Sequence, residues 1–551
     1  MRNLSLFKAV LVAGGVSAVT LTAHAGGLTP VPGANTKATG FTRPNILSPE
    51  LSEVIAAQGS YALENPTANS PFYGYFGDGT MIPAPGAVPS PAGVVEATKT
   101  EPDKNTYLVL DSATGADPNY DYGHRFLFQG HESSAGGVSF ISRVNLDAGG
   151  AHRVTLLADH DSSGAAIAAI DGSTWDPFAK RLLFTTENSG APGVYQATLD
   201  VPSTVDDLSF AFGHAGYEGI QNDSNGNLWL VEDVGGPLGT ANPHAKQPNS
   251  FIYRFAPKDR TNLAAGGKLQ VLQLQSLASP GQPIVFHPGQ VDADILSQDI
   301  KDMHSYGKTF KAKFVTIHDD ATDGTAVFDA NALAKAAGGT PFKRPENGVF
   351  RPGTRFTQFF FSETGDTDAR TEAGADFGGF GGIFKVSLGQ TGGDSGTVTI
   401  FFKSDVAHTG FDNCNFLTAN DVVFVEDAGD TLHTQRNAFD SAFLFDTRLD
   451  FSKSQNQPVR ILALGRDTSA TIDSGLGAFD GFQNEGDNEI TGFHVSDGDP
   501  GVNGILGAKL PLPFVLGWRV FYTQQHGDNQ TWEIVPSQPF GLLGILQGSG
   551  D

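Results

Sequence analysis

The sequence has 551 residues and carries 60 acidic side chains against 35 lysines and arginines, for a formal net charge of −25. That balance repels nucleic-acid phosphates and excludes DNA or RNA as a partner. One cysteine, Cys414, excludes an internal disulfide, and 68 glycines with 41 phenylalanines suit aromatic strands broken by glycine turns rather than disorder.

Residues 1–25 have the plan of a secretory signal. Arg2 and Lys8 form a basic start, an apolar run follows, and Ala23-His24-Ala25 is a small-x-small cleavage pattern. The apolar run is short for a bilayer span. The expectation is a periplasmic or secreted, monomeric protein with no membrane anchor, cleaved near Ala25. Residues 26–104 are rich in Pro, Gly, Ala and Ser and predict an irregular arm without chemistry.

From residue 105 to 540 one pattern recurs, before a short tail over 541–551. An apolar or aromatic run ends in acid, amide or histidine, usually followed by glycine. The copies lie at 126–132, 182–190, 228–236, 359–366, 422–430 and 520–528; the clearest is Leu-Trp-Leu-Val-Glu-Asp-Val-Gly-Gly at 228–236. Each run suits a buried strand, and the glycine permits a sharp turn. A polar loop with its own strand precedes most copies: Asp171 before Glu187, Glu218 before Glu232-Asp233, Glu346 before Glu363, Asp412 before Glu426-Asp427, and Glu489 before Gln525-His526. A hairpin brings both polar positions to one edge of a sheet. Six such edges predict an all-β fold, a six-bladed β-propeller whose tips converge on a channel mouth. A β-sandwich is the alternative on pattern alone. Residues 237–343 form an insertion. Within it, 251–255 and 269–274 predict strands that finish the third blade. Short helices are expected over 292–306 and 329–337, the second capped by Asp329, placed to set Arg344-Pro345-Glu346 at the mouth.

Carboxylates focused on one point cannot all stay ionised without cations. Oxygen donors suit calcium; His131 and His526 widen the choice to iron or zinc. Two ions a few ångströms apart can clamp a phosphoryl group, and Arg344 is the natural partner for its oxygens. A calcium ion that only holds the propeller together is the alternative. No serine elbow, phosphate loop or dinucleotide fingerprint is present. Asp159-His160-Asp161 reads as a solvated turn and Cys414 as a buried structural thiol.

The ordered set His131-Glu132, Thr185-Thr186-Glu187-Asn188, Tyr217-Glu218, Glu232-Asp233, Arg344-Pro345-Glu346, Thr364-Gly365-Asp366, Asp412-Asn413, Glu426-Asp427, Glu489 and Gln525-His526 resembles the PhoX-type alkaline phosphatases over about residues 105–535. The resemblance implies an exported six-bladed propeller that cleaves small phosphate monoesters at an iron and calcium cluster. It puts Glu187, Glu218, Glu232 and Glu346 at metal-ligand positions and makes Arg344 the phosphate-contacting arginine. The metal set expected for this chain is Glu187, Glu218, Glu232, Asp233, Glu346, Glu426, Asp427, Glu489 and His526, with Arg344 and Glu346 catalytic. Two positions depart from the family pattern. Thr186 stands in place of an iron-ligating cysteine, and Tyr217 in place of a histidine. A calcium-dominated site, a calcium-dependent phytase- or lactonase-like hydrolase, and a non-catalytic calcium-stabilised propeller all stay open.

Overall fold

A computed structural model describes residues 27–33, 45–77, 98–132, 139–464, 489–525 and 529–538. The expected signal over 1–25, His526 and the tail over 541–551 lie outside the described residues. What is described is mostly β, in antiparallel sheets, as the sequence predicts.

Two strands come first, β1 (Asn45–Leu47) and β2 (Leu51–Ala57). The chain then lays down six antiparallel units in order. The first holds β3 (Pro102–Val109), β4 (Arg125–His131), β5 (Ile141–Asn145) and β6 (Val154–Ala158). The second holds β7 (Ser173–Asp176), β8 (Arg181–Thr185), β9 (Val194–Ala197) and β10 (Val205–Asp207). In the third are β11 (Tyr217–Asn222), β12 (Leu228–Glu232), β13 (Ile252–Pro257) and β14 (Gly267–Leu274), the last two being the strands expected inside the insertion. A long strand, β15 (Phe310–Asp319), joins this unit to the fourth, β16 (Gly348–Phe350), β17 (Gln358–Glu363), β18 (Gly382–Leu388) and β19 (Ser395–Lys403), by pairing with both β14 and β19. The fifth comprises β20 (Phe411–Phe416), β21 (Asp421–Glu426), β22 (Ser441–Asp446) and β23 (Val459–Leu464). The sixth comprises β24 (Glu489–Ser496), β25 (Arg519–Gln525) and β26 (Gln530–Pro536).

Part of the 26–104 segment is not the irregular arm that composition predicts. β1 adds to β23, and β2 adds to β26 as the fourth strand of the last unit. An edge strand presents unpaired N–H and C=O groups, and a local segment of modest β pattern satisfies them once it is brought alongside. The first unit also begins before residue 105, because β3 starts at Pro102.

The first strands of the units meet in a closed circuit: β3 lies against β7, β7 against β11, β11 against β16, β16 against β20, β20 against β24, and β24 against β3. Apolar cores fill the spaces between neighbouring units. Successive side chains on a strand face opposite ways, so each second strand feeds two cores. On β12, Leu228 and Leu230 pack toward the second unit, while Trp229 and Val231 pack toward the fourth. On β21, Val422 and Phe424 face the fourth unit, and Val423 and Val425 the sixth. Burial on both faces explains why these strands are continuous apolar runs in the sequence.

Helices are short and lie between strands: α1 (Ser209–Phe212), α2 (Val291–Ile295), α3 (Gln298–Met303), α4 (Asp320–Asp323), α5 (Ala330–Ala336) and α6 (Gly429–Arg436). Those expected in the insertion are α2, α3 and α5, and the Asp329 carboxylate accepts the Ala332 N–H at 2.9 Å as its cap.

Candidate metal centre

Each first strand brings one carboxylate to the middle of the circuit. Asp103 lies on β3, Glu218 on β11, Asp412 on β20 and Glu489 at the start of β24; Asp171 and Glu346 sit just ahead of β7 and β16. The backbone reason is visible in the ladders. Register breaks between Pro102 and Asn105, Tyr217 and Gly219, and Phe411 and Cys414, so the residues inside each break leave the pleat and turn to the centre. Close approach requires glycine at one neighbour, since a Cβ on Gly172 would stand 1.9 Å from the Glu218 carbonyl oxygen.

The second strands add a shallower tier just past their ends: Glu132, Asp233 and Asp427 directly follow β4, β12 and β21, and Glu187 lies two residues after β8. Ligand atoms gather within 4.8 Å in three sets: Asp103, Glu132 and Asp171; Glu187, Glu218 and Asp233; and Glu218, Glu346 and Asp412. Glu218 belongs to two of them. Asp427 and Glu489 act on this group through their charge, Asp427 being the strongest charged neighbour of Glu489 and a neighbour of Glu187 and Glu346.

Burial, then mutual repulsion, governs the protonation of these acids. Burial and Asp233 push the Glu187 carboxyl up to about 8. Burial is also the first cause for Asp103, Asp171, Glu132, Glu218, Glu346 and Glu489, all raised well above the usual range. Glu218 and Asp412 bring carboxylate oxygens within 4.8 Å of each other, where two ionised groups repel. Amides brace the group: Asn413 Nδ2 donates to Asp412 at 2.7 Å, and Gln525 Nε2 donates to Asp103 at 3.0 Å and Glu132 at 3.1 Å.

Lys104 and Arg344 bring positive charge to these acids. Lys104 is buried and donates from Nζ to Asn347 Oδ1 at 2.7 Å, near Cys414, Asp412 and Asp171. Arg344 reaches Asp233 at 2.8 Å and Glu346 at 3.4 Å. Its backbone φ is 55°, a left-handed conformation that costs a non-glycine residue of order 1 kcal/mol. A chain of contacts holds it there. His304, the C-cap of α3, meets Glu363 Oε2 at 2.6 Å, and Glu363 Oε1 accepts the Lys343 N–H at 2.6 Å. The inserted helix therefore does help to set the Arg344-Pro345-Glu346 loop.

These residues fit a hard cation. The donors are oxygens, and among the described residues Asp171 Oδ1 and Gln525 Oε1 are buried with no hydrogen-bond partner, so an ion would satisfy them. No nitrogen or sulfur donor joins the three sets among the described residues. His131 is engaged by Thr100 and Ser142 and stacks on Phe140 at 3.9 Å. The Thr186 hydroxyl donates to the Pro192 carbonyl at 2.7 Å. Cys414 is buried in the apolar core between the fourth and fifth units, its thiol pushed up to about 12 by burial.

Two residues of the expected metal set face elsewhere. Glu232 Oε2 accepts from Phe251 N at 2.9 Å, Tyr253 Oη at 3.0 Å and Asn331 Nδ2 of α5 at 3.1 Å. Glu426 accepts from Arg436 of α6 at 2.8 Å and from Ser441 N at 2.9 Å. Both are placed differently from the sequence expectation for one physical reason. Adjacent strand residues point to opposite faces, so in Glu232-Asp233 and Glu426-Asp427 only the second acid turns inward. Conversely, Asp103, Glu132, Asp171 and Asp412 join the group although the sequence pattern does not mark them as ligands. Asp171, Asp412 and Glu132 do occupy the recurring polar positions, whereas Asp103 falls on the arm side of the boundary at 105. The Asp159-His160-Asp161 loop is a solvent-facing turn, with Asp161 accepting from Ser163 N at 2.9 Å and Ala165 N at 3.0 Å.

Among solved structures, a candidate phosphatase from Bacteroides thetaiotaomicron VPI-5482 is 10% identical, with a TM-score of 0.37 over 89% of this chain and 79% of that one. Sqt1 from Chaetomium thermophilum is 11% identical, with a TM-score of 0.31 over 75% of this chain and 80% of that one. Likenesses this weak carry no weight for fold or activity. No curated protein matches the chain. The family described as alkaline phosphatase PhoX, whose members depend on metals, matches residues 244–498, a span that holds Arg344, Glu346, Asp412, Asp427 and Glu489. Over those residues, a little under half of its length, the chain is similar to the PhoX family of alkaline phosphatases.

Proposed function

We propose that this protein is an exported, calcium-bearing phosphatase that hydrolyses phosphate monoesters at the centre of a six-bladed β-propeller. The closed circuit of first strands supports the blade assignment. The observation that carries the chemistry is Arg344: a strained arginine, paired with Asp233 and Glu346, on the rim of three carboxylate sets. Its planar fork matches two oxygens of a phosphoryl group. Cations held by the sets would supply Lewis-acid charge and an activated water. Glu346 pairs with Arg344 and belongs to the set with Glu218 and Asp412.

Export rests on the signal pattern of residues 1–25, and N-terminal sequencing of the protein recovered outside the cytoplasm tests it. No helix among the described residues is long and apolar enough to cross a membrane. The decisive experiment is elemental analysis of protein purified without added metal, with hydrolysis of a generic phosphomonoester measured before and after chelation. Calcium, with or without iron, and chelator-sensitive hydrolysis are expected. Bound calcium with no hydrolysis overturns the enzyme reading and leaves a calcium-held propeller, a reading favoured by Thr186 and by the all-oxygen donor sets.

A further inference from the structure

Lys246 lies on the loop between β12 and β13, close to the centre yet outside the expected site. The loop is pinned on both sides of it. The Asp292 carboxylate of α2 accepts N–H groups from Thr240, Ala241 and Asn242 at 3.0–3.1 Å. Ala245 is buried against Ile295 and Ala373. The Lys246 N–H donates to Asp366 at 2.9 Å, and Gln247 Nε2 to Asp294 of α2 at 2.7 Å. Asp366 is itself buried and paired with Lys343 Nζ at 3.0 Å, next in sequence to Arg344. The backbone that carries Lys246 is thus fixed to the loop that carries Arg344.

Among the described residues, no hydrogen bond or ion pair engages the half-buried Lys246 ammonium. Its charged neighbours are Arg344, Asp233, Asp366 and Glu346, with Arg344 the nearest in effect. Asp233 and Glu346 are taken by Arg344 and Asp366 by Lys343, so the Lys246 ammonium is the cation of this group left to meet an incoming anion.

We propose that Lys246 is a substrate-binding residue that forms, with Arg344, a two-cation seat for the dianionic phosphoryl group of a monoester. The inference rests on the phosphatase reading and gives the inserted α2 a function, that of fixing this lysine over the centre. It also sets a preference: a diester, with one negative charge, gains less from the second cation than a monoester does.

The test uses the calcium-loaded full chain, inorganic phosphate titrated by calorimetry, and steady-state hydrolysis of a phosphomonoester. A charge-assisted hydrogen bond is worth enough that Lys246→Met weakens phosphate binding and raises KM about tenfold to a hundredfold, with kcat nearly unchanged. Lys246→Arg restores most of the affinity, and calcium content and Tm stay at wild-type values in both variants. Wild-type phosphate affinity and KM in Lys246→Met overturn the inference and leave the phosphatase reading standing. A parent protein that binds phosphate without hydrolysing it, and loses that binding in Lys246→Met, keeps the seat and removes the enzyme. A parent protein that neither binds nor hydrolyses overturns both.

Discussion

Glu232 and Asp233 are neighbours in sequence, both buried, and they live in opposite worlds. Glu232 faces outward from the centre and is met by N–H and O–H donors from Phe251, Tyr253 and Asn331. Asp233 faces inward, among Glu187, Glu218 and Arg344. The same split recurs at Glu426 and Asp427, where the outward acid holds Arg436 of α6. At the fourth unit Glu363 is likewise an outward acid, holding His304 at the C-cap of α3, but Thr364 and not a second acid follows it. Outward acids tether helices to the sheets, while inward acids face one another. Burial is common to both groups. What differs is whether the neighbours donate or repel, and that decides between scaffold and site.

The sharpest break of this comparison removes an outward acid. Glu426→Ala leaves the buried Arg436 guanidinium without its main partner and should destabilise the fold by about 3–5 kcal/mol. Chemical denaturation reads that loss, and calcium bound per folded molecule should not change. An inward change should do the reverse. Arg344→Ala should lower kcat/KM for a phosphomonoester about a hundredfold to a thousandfold, as loss of a preorganised charge at a phosphoryl group does, while the Tm of the calcium-loaded protein holds. A Tm that collapsed along with activity would make Arg344 part of the scaffold and erase the distinction.

Glu218 sharpens it further, since two sets share this residue. Glu218→Gln removes a negative ligand from both, and elemental analysis should show less than the wild-type calcium content with secondary structure intact. The inward acids also predict a pH effect of definite sign. In metal-free protein Glu187 keeps its proton up to about 8, whereas in the unfolded chain it ionises near the ordinary glutamate value of about 4.3. The folded state then binds more protons than the unfolded state between those values, so stability falls as pH rises through the window. Thermal melts of chelated protein should therefore give a lower Tm at pH 8 than at pH 5, and saturating calcium should remove the difference. The smallest effect belongs to the surface: Asp159→Asn, in an exposed loop, should stay within about 0.5 kcal/mol of wild type and leave calcium content unchanged.

Much of the scaffold is legible in the sequence alone. The recurring apolar run with a polar tip locates every second strand, and the preceding acid locates Glu218, Glu346 and Glu489 on or beside the first strands. Asp329 marks the start of α5. Arg344-Pro345-Glu346 is marked by its chemistry, and it lies beside the carboxylates.

The chain by itself determined the all-β class, the strand runs and the residue types at their ends, because apolar periodicity and turn chemistry are local properties. Tertiary structure alone decided which acid of each pair turns inward, since that depends on strand parity and on a register break invisible in one dimension. It also decided the partners. Asp103 joins Glu132 and Asp171 across two units, β2 completes the sheet of the last unit, and Lys246 comes to stand by Arg344. Each of these juxtaposes residues far apart in the chain, and only the closing of the six units brings them together.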